Sequence, residues 1–164
     1  MSDRRSTLIT ALKRRLLDTR DQVNALRAAC SRFGDDFDER AFASAWNSSD
    51  ADGKLPALAV QAAYENSING AIRIAQELSE LAGWIPANTE PTSAEALKAL
   101  RENGLIATAK IHQQLKDAYA QRSSLQHDYA NTLARDIHEQ SRATLETVPR
   151  LLEDVHLYVL RNFK

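Results

Sequence analysis

Cysteine is almost absent. Cys30 is the only one in 164 residues, so no internal disulfide can form and a reducing compartment is expected. Glycine (five) and proline (four) are scarce, and aromatic side chains make up 6%. Sheets need frequent turns and favour β-branched and aromatic residues, so this shortage argues against a β protein. Net charge is nearly absent too: 21 basic and 22 acidic side chains leave −1. That balance excludes a strongly basic domain held on nucleic acid by general phosphate neutralisation. It leaves room for a nuclease with a small local basic site. No run of 18 apolar residues occurs, so no membrane span is expected. The start, Met-Ser-Asp-Arg-Arg, leads into a helical pattern dotted with Arg and Lys. The expectation is no cleaved signal peptide and a cytoplasmic location.

Alanine and leucine dominate the apolar set, and their spacing is helical. Leu8, Leu12, Leu16, Val23, Leu26 and Cys30 predict a long helix over 6–32, stopped by Gly34. Acid at 35–39 opens a short helix near 38–47, with Phe42 and Trp46 on one side. A polar loop is expected at 47–54. A third helix is expected to begin near Pro56 and run to Ala82, ended by Gly83. Thr92-Ser-Ala-Glu95 has the form of a capping box. A short helix should follow it and stop at Asn103-Gly104. Another is expected at 105–120, then an ambiguous polar stretch at 121–128. The last segment, 129–162, should kink or restart at Pro149. The expectation is all-α: one domain over 1–164, an up-and-down bundle of four long helices and two short ones.

Most catalytic signatures are missing. His112, His127, His138 and His156 are widely spaced, without a His-x-x-x-His pair, and no metal site or cofactor is expected. There is no Gly-rich phosphate loop and no Gly-x-Ser-x-Gly elbow. Cys30 reads as core, Trp46 and Trp84 as core or interface anchors, and His138 as part of a solvated helix face.

What stands out is Gln121-Arg-Ser-Ser-Leu-Gln-His-Asp-Tyr129. An Arg holds a phosphate with a rigid, permanently charged fork, and a His moves a proton near neutral pH. Together they suffice for metal-free RNA cleavage, in which the 2′-hydroxyl is the nucleophile and a 2′,3′-cyclic phosphate is the product. The plainer alternative is structural: Arg122 paired with a nearby acid, and His127 capping or packing at a helix end.

Arg122-x4-His127-x-Tyr129 resembles the signature of the HEPN superfamily, and most of all its HepT toxins, which occur with a minimal nucleotidyltransferase antitoxin. The context is similar as well. Residues 60–83 resemble that family's second long helix, and 91–106, from Pro-Thr-Ser to Gly-Leu-Ile, resemble its next segment. The similarity covers about residues 8–160 in order. It implies a HEPN-like bundle forming a two-fold homodimer, with motifs from both chains lining one cleft. It implies an endoribonuclease toxin acting on tRNA or mRNA, with Arg122 and His127 as the catalytic pair. Tyr129 becomes the hydroxyl that the nucleotidyltransferase adenylylates. Ser123 stands where the family commonly has Asn, Asp or His, and is assigned a supporting role on the phosphate. Gln121 replaces a frequent Phe, and the 47–54 loop looks longer than usual. The alternative is a non-catalytic binding partner, or substrate-binding subunit, of a minimal nucleotidyltransferase.

Overall fold

The computed structural model describes residues 2–86, 89–127 and 132–163, the side chains of residues 2, 126 and 127 aside. Six helices account for the ordered elements among them: α1 (Ser2–Ser31), α2 (Glu39–Trp46), α3 (Ala51–Leu81), α4 (Ser93–Glu102), α5 (Ala109–His127) and α6 (Ala134–Asn162). No strand occurs among the described residues, and no helix is long and apolar enough to cross a membrane. The expected four long and two short helices are present, packed as a bundle.

α1 and α3 run antiparallel. Arg4 pairs with Glu80 at 2.9 Å, while further along α1 Gln22 meets Asn66. Between these points the helices approach so closely that a Cβ at Gly70 would run into the Thr19 side chain, with Cγ2 at 2.8 Å. Thr19 is only 2% exposed. Glycine is therefore required at position 70 for the spacing of this pair, although Gly costs about 1 kcal/mol against Ala inside a helix. The core that α3 organises contains Leu12, Leu26, Phe42, Tyr64, Ile68, Leu78 and Ile137, all fully buried.

Several boundaries differ from the sequence expectations. The 47–54 loop is half as long as expected. Asp50 caps α3 by accepting from the Gly53 amide at 3.0 Å, so the helix begins at Ala51 and Pro56 falls in its second turn. There Pro56 removes one backbone bond, which the capped first turn tolerates. Pro149 does not restart the last helix. α6 is continuous from Ala134, and Val148, Leu151 and Leu152 are buried on either side of the proline. That packing holds the helix despite the missing donor. The capping box is as expected: Thr92 Oγ1 accepts from the Glu95 amide at 3.2 Å, and the Glu95 carboxylate accepts from the Thr92 amide at 2.8 Å.

His138 is not on a solvated face. It is 6% exposed, with its ring stacked on Phe37 at 4.2 Å between centroids. Its Nε2 meets the Phe37 carbonyl. A carbonyl only accepts, so Nε2 carries the proton. Phe37 holds φ +49°, uncommon for a bulky residue, and its packing against Phe33, Phe42 and His138 fixes that turn. Cys30 is core as expected: 3% exposed, with burial pushing its thiol up to about 12, far from a reactive thiolate.

Candidate functional site

α5 determines where the motif lies. Its apolar side runs Ile111, Leu115, Ala118 and then Leu125, which is 3% exposed. The steps are four, three and seven, so position 122 belongs to the same inward stripe. The expected break after residue 120 is therefore absent, and α5 runs on to His127. Residues 121–124 are polar, but Leu125 continues the packing and carries the helix through them.

Arg122 thus occupies a position that the helix register would give to a core residue. Its Nε is buried without a hydrogen-bond partner, and among the described residues it has no ion pair. The expectation of a pairing acid is not met there. The guanidinium carbon lies 5.8 Å from the centre of the Tyr119 ring, one helical turn back. The side chain ends in a groove of about 280 Å³ formed with α3 and the loop after it, lined by Asn69, Ile72, Arg73, Gln76 and Glu90.

Tyr64 sets the height of α5 against α3. Its buried hydroxyl donates to the Ala118 carbonyl and lies by the Arg122 backbone amide, the point where the helix carries Arg122. Burial pushes the phenol far above its ordinary range, and the Arg122 amide and charge pull less strongly the other way. Ser123 donates its hydroxyl proton to the Tyr119 carbonyl at 3.2 Å, so in this rotamer it has no proton for a phosphate.

Position 127 lies five residues beyond 122 in the same helix, or about 140° round the axis. The two motif positions do not share one face of α5. Nothing further is described of the His127 side chain, and Tyr129 lies outside the described residues.

Other candidates carry less. A larger cavity of about 450 Å³ lies between α2, α5 and α6, where the carboxylates Glu39, Asp117, Glu139 and Glu146 outnumber Arg135 and Arg142. It holds no motif residue and its charge repels phosphate. His156 is exposed and shares a small pocket with Glu153, three residues earlier, and Arg20. Among the described residues no three His, Cys, Asp or Glu side chains come together to hold a metal. His112 Nδ1 accepts from Arg101 at 3.4 Å, and its Nε2 is buried without a partner. Burial first, then Arg101 and Lys116, lower its pKa from the ordinary value.

The sequence reading missed the α3 contribution. Asn69, Arg73 and Gln76 recur at helical spacing, which was visible, but only the packing of α5 against α3 brings them beside Arg122. The chain matches no family model, no curated protein and no solved structure.

Proposed function

We propose that this protein is a metal-independent endoribonuclease of the toxin type, a HEPN-like bundle that works as a two-fold dimer. The observation that carries the proposal is Arg122: a guanidinium at a core register position, without an ion pair among the described residues, ending in a polar groove. Arg122 is half-buried, and a buried Nε without a partner is costly unless a ligand supplies the acceptor. A phosphodiester does so.

In the reaction, His127 as base removes the 2′-hydroxyl proton and the freed oxygen attacks phosphorus. Arg122 stabilises the charge that grows on the phosphoryl oxygens. The bond to the 5′-oxygen breaks, and that oxygen takes a proton from a second acid. One chain supplies one motif His, and positions 122 and 127 diverge round α5. A two-fold axis resolves both problems by presenting Arg122 and His127 from each copy. Ser123 supports the turn that carries Arg122 instead of contacting phosphate. Adenylylation of Tyr129 by a nucleotidyltransferase would bring phosphates into competition for Arg122 and silence the site.

Purified protein incubated with tRNA or mRNA and a chelator should leave 2′,3′-cyclic phosphate ends. Equal cleavage by wild type and His127→Ala would falsify the proposal. A second reading draws on the divergence of 122 and 127 and on Ser123: a binding partner of a nucleotidyltransferase, with Arg122 as a phosphate contact only. Induced expression separates them. A toxin halts growth and Arg122→Ala relieves it, whereas a binding partner leaves growth unchanged in both forms.

A further inference from the structure

The groove beside Arg122 contains a second cation. Asn69, Ile72, Arg73 and Gln76 stand at i, i+3, i+4 and i+7 of α3 and line it together. The next acids along α3 pair with α1, Glu77 through Oε1 with Arg15 at 2.8 Å and Glu80 with Arg4, while Glu77 Oε2 is buried without a partner. Among the described residues Arg73 has no ion pair. Two arginines from different helices therefore line one pocket. That pocket continues through Arg73, Gln76 and Glu90 into a neighbouring one of about 320 Å³ that reaches Arg4, Glu77, Glu80 and Pro91, and whose added acids leave phosphate to the Arg122 side.

The pocket also offers acceptors. Gln76 Nε2 donates to the Pro91 carbonyl at 2.8 Å, which fixes the amide and leaves Oε1 to accept. Glu90 adds a carboxylate at the rim. A simple anion would use the two guanidinium groups and be repelled by these oxygens. A ligand that matches all of them carries both a phosphate charge and hydroxyl donors. The sugar–phosphate backbone of RNA has that combination, and DNA lacks its 2′-hydroxyl.

We infer that the α3 side of the groove is a ribose–phosphate subsite for RNA next to the cleaved bond. Arg73 binds the phosphate, and Gln76 Oε1 accepts from a 2′-hydroxyl. This rests on the ribonuclease reading of Arg122.

The test uses the full chain carrying His127→Ala, so that bound RNA survives, and follows fluorescence anisotropy of a short labelled oligoribonucleotide and its DNA counterpart. RNA should bind more tightly than DNA. Adding Arg73→Ala should weaken RNA binding about tenfold, the loss of one charge-assisted contact. It should also reduce the slope of log affinity against log salt by about one. Arg73→Lys should recover part of the affinity. Gln76→Leu should abolish the preference for RNA while DNA binding persists. Arg73 is exposed, so its variants should melt with their parent. Equal affinity of parent and Arg73→Ala, or equal binding of RNA and DNA by the parent, overturns the subsite. Wild type that cuts RNA alongside an Arg73→Ala variant that binds as its parent does overturns the subsite alone. Binding that depends on Arg73 with no cleavage by wild type overturns the nuclease reading and keeps the subsite.

Discussion

Replacing Arg122 by Leu should make the protein more stable and less active. The position belongs to the buried stripe that includes Ala118 and Leu125, and there the Nε donor has lost water without gaining a partner. Leaving a polar group in that state costs about 1–3 kcal/mol. Against this stands the contact of the guanidinium with the Tyr119 ring at 5.8 Å, which contributes about 0.5–1 kcal/mol at a site open to solvent. Leu keeps the apolar stem and the helix propensity, and it removes the like charge beside Arg73. The balance is about 1 kcal/mol in favour of Arg122→Leu. For a chain of this length that raises Tm by about 2–4 °C, measurable by circular dichroism with urea melts as a second probe. RNA cleavage should vanish in the same variant. A fall in Tm of similar size would refute the reasoning, because Arg122 would then hold the fold as a structural cap. The Arg122→Ala variant should gain less than Arg122→Leu, since it leaves a gap beside Leu125.

Two further expectations concern the frame and the pH response. Gly70→Ala drives a methyl into Thr19 across the α1–α3 contact and should lower stability by about 1–3 kcal/mol in urea unfolding. Thr19→Ala, which removes both Oγ1 and Cγ2 from that contact, should return part of that loss, and no effect of Gly70→Ala would mean the helices separate freely. His112 has a lowered pKa when folded, so the unfolded chain binds its proton more readily. Its contribution is complete above the unfolded value of 6.5 and is lost as pH falls from there through the lower folded value. Stability measured against pH should therefore drop less steeply below pH 6.5 in His112→Gln than in wild type, and identical profiles would dismiss the role of His112.

Local signals carried a large part of the architecture. The Thr92–Glu95 capping box needs only four residues and formed as expected. Gly34 and Gly104 adopt positive φ just past the ends of α1 and α4, where glycine meets least steric resistance. Where the reading failed, distant residues decided the outcome. Pro149 suggested a kink or a restart, and with Val148, Leu151 and Leu152 buried α6 runs on without a restart. His138 suggested solvent, yet the turn at Phe37, a hundred residues earlier, gives its ring a stacking face and its Nε2 an acceptor. The polar stretch 121–128 was ambiguous in the sequence, because within 121–125 Leu125 alone marks its inward side, and packing through Leu125 carries α5 to His127.

The same division holds for the site. Sequence by itself determined an all-helical chain, the balanced charge that rules out general affinity for nucleic acid, and the pairing of an Arg with a His in one short motif. Those are properties of composition and of spacing along one helix. Only the tertiary structure decided that Arg122 lies on the buried side of α5 with its Nε unpaired, and that Arg73 and Gln76 border the same groove. Residues some fifty positions apart meet because α5 packs on α3 at the height fixed by Tyr64. No periodicity within either helix contains that information, because it belongs to the distance between them.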